Sequence, residues 1–221
     1  MKIFAGPFAG LRYIDHSIMS AHYPKLLGTY EKELWPVFEE LKEWKFTKGV
    51  VIGAGEGYYA VGIAKYLDIQ VVAYEMDPMG PHLVRELAAK NQLEDQVHIN
   101  GVCKPKNLLQ LDTKKSYLFL FDAEGNEFEF YKAGCFEVFT NSWFIVEIHY
   151  PEHLAEFEKT LSSIFHFEYI PVKKRNMADF PLKLPDFLRY GLVRYWKSLV
   201  QEWRTSNSHG WMILKPKLQN Q

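Results

Sequence analysis

The sequence is short of three things, and each shortage excludes a class of protein. It has two cysteines in 221 residues, Cys103 and Cys135. Neither stands in a Cys-x-x-Cys or Cys/His pattern, so a zinc site built on cysteine is excluded, and two are too few for a secreted disulfide scaffold. It lacks an excess of charge of one sign: 26 Lys and Arg against 27 Asp and Glu give a formal net charge of -1. So balanced a chain offers no broadly basic surface for non-specific nucleic-acid binding. The one local basic cluster, Lys173-Lys174-Arg175, reads as a solvated loop. No apolar run reaches the length of a bilayer span, and Met1-Lys2-Ile3-Phe4-Ala5-Gly6-Pro7 holds no signal-peptide core. The expectation is a soluble, cytoplasmic protein with no membrane partner. Internal repeats and low-complexity segments are also missing.

What the chain has is aromatic residues, 16% of the total, and a length suited to one domain with an extension. Such a length buries a sizeable core without staples. Residues 1–23 show no clear period and read as an arm or lid. Pro24 to Trp44 is helical in pattern, with Leu34, Val37, Phe38, Leu41 and Trp44 on one face and Thr29 placed to cap it. Residues 1–47 therefore form an N-terminal arm and helix. From residue 48 to 221 strand and helix signals alternate. Apolar strand runs occur near 50–52, 69–75, 97–101, 117–122, 143–149 and 167–172, with helical patterns at 78–91, 124–133 and 151–164. This alternation predicts an α/β fold, a mostly parallel sheet with helices on both faces. The rhythm breaks at about 173–208, an insertion that carries an aromatic amphipathic stretch from about Asp186 to Arg204. It reads either as a wall of the substrate site or as an extra packing helix. Gly210 to Pro216 closes the chain as a last strand.

The motif on which the function turns is Val50-Val51-Ile52-Gly53-Ala54-Gly55-Glu56-Gly57-Tyr58-Tyr59. It is a buried strand, a glycine turn and the start of a helix. Glycines there let a ligand approach the backbone, and free helix N–H groups face it. A nicotinamide or flavin turn wants Gly-x-Gly-x-x-Gly. Counted from Gly53 and Gly55, its third glycine falls on Tyr58, and the match fails. The pattern here is Gly-x-Gly-x-Gly. Glu75 ends the second strand about twenty residues on, where a carboxylate can accept hydrogen bonds from both hydroxyls of a ribose. Asp122 ends the fourth strand, beside the first, and faces the crevice at the expected switch point of the sheet. His149 ends the fifth and is the natural base, with Glu147 or Asp122 placed to orient it. Glu124 and Glu127 suit a helix N-terminus, and Glu124 is read as lining the site. Asp122, Glu124, Glu147 and His149 can together hold magnesium or manganese, but nothing in their spacing demands it, and no metal is assigned. Arg204 can bind an acidic group of a substrate.

Gly53-Ala54-Gly55-Glu56-Gly57 resembles motif I of class I S-adenosylmethionine-dependent methyltransferases. Phe121-Asp122-Ala123-Glu124-Gly125-Asn126-Glu127 closely resembles the Asp-x-Glu-Gly-x-Glu signature of the FkbM-like methyltransferases. Glu147-Ile148-His149 and Tyr30-Glu31 also fit that family, over roughly residues 29–150 and the final strand. One departure is Val51, where many members carry an acid. The resemblance implies a Rossmann-like class I methyltransferase fold with a seven-stranded sheet and an antiparallel last strand. It implies S-adenosyl-L-methionine as cofactor, bound by Gly53, Ala54, Gly55, Gly57, Tyr58, Glu75, Met76, Gly101, Val102, Asp122 and Tyr30. It implies catalysis by Asp122, His149, Glu124 and Glu147, with O-methylation of a small-molecule or sugar hydroxyl as the expected reaction. An NAD(P)-dependent oxidoreductase and a non-catalytic cofactor-binding or scaffold protein are the alternatives.

Overall fold

The computed structural model describes residues 1–18, 20–181, 195, 199–202 and 209–217. Seven strands run at Lys48–Ile52 (β1), Val71–Tyr74 (β2), Val97–Asn100 (β3), Tyr117–Phe121 (β4), Trp143–Ile148 (β5), Phe165–Pro171 (β6) and Gly210–Pro216 (β7). They form one sheet in the order β3-β2-β1-β4-β5-β7-β6. The first five pair in parallel. The last strand, β7, lies antiparallel between β5 and β6. The mostly parallel sheet with an antiparallel last strand is the architecture the sequence predicts. Strand order reverses at β1 and β4, and a crevice opens there beyond the strand ends.

Neighbouring residues of a strand point to opposite faces, and here both faces are apolar. Val51, Leu118, Leu120, Ile145 and Ile213 join one core. Val50, Ile52, Phe119, Phe121, Phe144, Val146, Met212 and Leu214 join the other. Phe119 and Phe144, register partners on β4 and β5, stack with centroids 4.7 Å apart. Helices at Trp35–Leu41, Tyr58–Leu67 and Gly80–Lys90 cover the first face. Helices at Pro105–Leu109, Glu127–Lys132 and Leu154–Leu161 cover the second.

The single helix expected over 24–44 is broken. A short helix, His22–Leu27, ends at Gly28, whose φ of 77° is left-handed and whose N–H returns to the carbonyls of Lys25 and Pro24. A Cβ on Gly28 would lie 1.9 Å from the Ala5 carbonyl oxygen, so this glycine also admits the N-terminal arm. A 3-10 turn, Lys32–Leu34, follows, and its N-cap is Glu31 rather than Thr29. The helix expected from 124 starts only at Glu127, because Glu124 and Gly125 are left-handed, at φ 50° and 96°. A helix not expected from the sequence runs at Pro105–Leu109, with a proline at its start and Asn107 accepting the Lys104 N–H at 2.8 Å.

The arm is packed into the fold. Ile3, Phe8, Leu11, Tyr13 and Ile14 are all buried in the first core. Phe8 lies across Gly62, where a Cβ would come within 2.6 Å of the ring. Arg175, expected in a solvated loop, has a side chain only 4% exposed. Its guanidinium pairs with Glu33 and with Glu202 at 2.8 Å and donates to the Thr29 carbonyl at 3.1 Å. Glu202 also accepts the Glu31 N–H at 3.0 Å. The amphipathic stretch from Asp186 and the candidate Arg204 lie mostly outside the described residues. Among the described residues no helix is long and apolar enough to cross a membrane.

Truncating Phe8 to alanine is expected to cost about 3–5 kcal/mol, the range for a buried aromatic. Urea unfolding checks the loss, and limited proteolysis is expected to cut first within residues 1–20.

Candidate active site

At the end of β1 the chain turns sharply. The N–H groups of Gly53 and Ala54 both donate to the Tyr74 carbonyl at 3.0 Å, tying the turn to β2. Gly53 has φ 78°, and a Cβ there would lie 1.7 Å from the Asp122 carbonyl oxygen. The turn and the end of β4 therefore touch backbone to backbone. Gly55, at φ 53°, has open space where a side chain would be. Gly57 caps the helix Tyr58–Leu67 in the left-handed region.

Glu75 is buried just beyond β2. One of its carboxylate oxygens accepts the Gly55 N–H at 2.6 Å and the other accepts the Asp77 N–H at 2.7 Å. A carboxylate has about four acceptor positions, so Glu75 can fix the glycine turn and still meet two hydroxyls. Gly80 makes room for it: a Cβ at Gly80 would lie 2.1 Å from Glu75 Cγ. The sequence reading missed Gly80, because its need arises from a contact between separate elements.

Glu56 is the acid of the turn itself. It is 1% exposed, accepts the Tyr13 hydroxyl at 2.5 Å and the Ile18 N–H at 3.1 Å, and pairs with Lys25. Lys25 donates also to Ser20 at 2.6 Å and lies over the rings of Tyr30 and Tyr58. Burial alone would raise the Glu56 pKa, but Lys25, the Tyr13 hydroxyl and the Ile18 N–H outweigh it and lower it. Val51, where the resembled family often has an acid, points into the first core and is fully buried. The turn is therefore ordered by Glu56 from within, an arrangement that needs the arm and so was invisible in the motif alone.

A cavity of about 850 Å³ runs from this turn across the ends of β1 and β4. Gly53, Ala54, Gly55, Tyr58, Glu75, Met76, Val102 and Tyr30 line one side. Gly57 and Gly101 are not among the lining residues. Gly57 shapes the turn by capping a helix, and Val102 and Cys103 take the place expected of Gly101. Ile18, Ser20, Ala21 and Lys25 of the N-terminal segment add a wall that the sequence reading did not specify.

Asp122, Glu124, Glu147 and His149 line the other end together. His149 Nδ1 lies 3.1 Å from Glu127 Oε1. That same oxygen accepts the N–H groups of Ala123 and Gly125 at 3.1 and 3.3 Å, so one buried acid sets both the ring and the loop. Orientation of the ring thus falls to Glu127, not to Glu147 or Asp122 as expected. The opposite nitrogen, Nε2, faces Glu124 at 3.4 Å, Asp122 at 3.8 Å and Glu147 at 3.9 Å. Burial would lower the His149 pKa, but the hydrogen bond to Glu127 and the nearby carboxylates raise it. Asp122, Glu124 and His149 each offer one donor atom within 4.8 Å of the others.

No protein-family model and no curated protein matches the sequence. Solved structures match the fold. A human methyltransferase 10 domain-containing protein is 12% identical with a TM-score of 0.55, over 95% of this chain and 89% of that one. The precorrin-6Y C5,15-methyltransferase of Geobacter metallireducens is 12% identical with a TM-score of 0.53, over 94% of each chain. An O-methyltransferase from Bacillus cereus, solved in complex with SAH, is 11% identical with a TM-score of 0.52, over 84% of this chain and 81% of that one.

Glu56→Gln is expected to cost roughly 3–5 kcal/mol, because it leaves Lys25 as a buried cation without its partner. Because the folded pKa of Glu56 is lowered, its contribution is present above the unfolded carboxylate pKa and lost as pH falls through the folded value. Thermal unfolding from pH 7 down to pH 2 is expected to show a shallower acid loss in the variant than in the wild type. At the level of fold, the chain is similar to the Rossmann-like class I S-adenosylmethionine-dependent methyltransferases.

Proposed function

We propose that this protein is an S-adenosylmethionine-dependent methyltransferase of the FkbM-like kind, acting on a hydroxyl of a small molecule or sugar. The observation that carries the reading is the placement of Glu75 against the Gly55 N–H, on the wall of a cavity that Asp122 also lines. A nucleoside lying across that wall meets an acid for its ribose and a backbone free of side chains at Gly55. The three solved methyltransferases of this fold support the cofactor class, and one of them was solved with SAH.

A dinucleotide is disfavoured at Tyr58. That position would have to be glycine for the helix to close on the strand, and here it holds a buried ring packed edge-on to Tyr30 at 5.4 Å. The cofactor supplies a methyl group on a positively charged sulfur. The protein's work is then alignment of the acceptor and removal of its proton. The Gly53 turn and Glu75 hold the nucleoside, Tyr30 and the Lys25–Glu56 pair close the side of the glycine turn, and Asp122 stands where the two halves of the cavity meet. Asp122, Glu124, Glu147 and His149 receive the acceptor. The near-zero net charge favours a small acceptor over a nucleic acid.

Calorimetry with S-adenosylhomocysteine and with NAD tests the cofactor class. Binding of the first and not the second is expected, and no binding of S-adenosylhomocysteine at millimolar concentration overturns the reading. Glu75→Ala is expected to weaken that binding by roughly 1.5–3 kcal/mol, the size of a hydrogen bond to a charged group.

A further inference from the structure

We propose that Asp122, Glu124 and Nε2 of His149 form a binding site for one divalent cation, of the manganese class, at the acceptor end of the cavity. Three carboxylates surround Nε2, yet at 3.4, 3.8 and 3.9 Å all stand beyond a good hydrogen bond. The distances from Nε2 to Glu124 and Asp122 fall in the range of donors around a small ion. Bonds of about 2.1 Å place neighbouring donors about 3 Å apart and opposite donors about 4.2 Å apart. The donor atoms of Asp122, Glu124 and His149 all lie within 4.8 Å of one another.

The set is more than a group of acids. His149 brings a nitrogen donor, and its ring is oriented from behind: Nδ1 is held by the buried Glu127 at 3.1 Å, which turns Nε2 toward the cavity. A carboxylate on the far nitrogen is the arrangement that fixes ligating histidines in metal sites. Glu127 also holds the N–H groups of Ala123 and Gly125, and so sets the loop that carries Asp122 and Glu124. Two carboxylates and one imidazole leave positions for water or a substrate oxygen on an octahedral ion. Imidazole selects manganese over magnesium, and the absence of thiolates argues against a soft ion.

In the methyltransferase reading, on which this role rests, the cation takes the acceptor's hydroxyl oxygen. Its charge lowers the hydroxyl pKa. The proton leaves to water, the oxygen attacks the methyl carbon, and sulfur keeps the electron pair of the broken bond. His149 then serves as a ligand and not as the base.

The test is a Mn²⁺ titration of the full chain, followed by loss of the free-ion EPR signal, alongside calorimetry with S-adenosylhomocysteine. One Mn²⁺ per chain at micromolar concentration is expected. Glu124→Gln, an exposed position chosen to preserve folding, and Asp122→Asn are each expected to weaken it tenfold or more. Glu127→Gln is expected to weaken it 10- to 100-fold, as loss of a ligand's supporting carboxylate does. A wild type that binds no Mn²⁺, or variants that bind it unchanged, overturns the site. S-adenosylhomocysteine binding without Mn²⁺ binding removes the cation and leaves the methyltransferase reading standing. Mn²⁺ binding without S-adenosylhomocysteine binding does the reverse.

Discussion

The structure depends on the close approach of Gly53 to the Asp122 carbonyl. A single Cβ at Gly53 would lie 1.7 Å from that oxygen. Because β1 and β4 are parallel neighbours in register from Lys48↔Tyr117 to Ile52↔Phe121, both chains leave the sheet at the same level. One turns toward β2 through glycines, the other into the acidic loop 122–127. The contact brings a backbone cradle and a group of carboxylates to the two halves of one cavity. Neither half is complete without the other, and both follow from strand order and the smallness of one residue.

Two buried ionic networks then fix what stands around the cavity. Glu56 gathers Tyr13, Ile18 and Lys25, and so ties the N-terminal segment to the glycine turn. Arg175 gathers Glu33, Glu202 and the Thr29 carbonyl, and ties the segment after β6 to the same N-terminal region. Buried pairs of this kind gain little over apolar packing but are costly to break. They position walls more than they add stability. The third cluster, around His149, differs in that only Nδ1 is held at hydrogen-bond distance while Nε2 faces the open cavity.

Much of this was legible in the sequence, for identifiable reasons. Strands buried on both faces are near-continuous apolar runs, and Tyr117–Phe121 could hardly be anything else. Glycine turns and strand-end acids keep fixed offsets, so Gly53, Gly55, Glu75, Asp122 and His149 were found by counting. What could not be counted was contact between distant segments. The role of Gly28 depends on Ala5, that of Gly80 on Glu75, and that of Glu56 on Tyr13 and Lys25. Arg175 read as a solvated charge because its partners, Glu33 and Glu202, are 142 and 27 residues away. Glu127 read as a helix-start acid, which it is, while its side chain serves the histidine of another strand.

The cavity as a methyl-transfer site is tested most directly by a crystal structure with S-adenosylhomocysteine. The expected result places the ribose hydroxyls on Glu75, the nucleoside across Gly53 to Gly55, and the thioether sulfur facing Asp122. A nucleoside bound elsewhere, or in the cavity without contact to Glu75, would contradict the account.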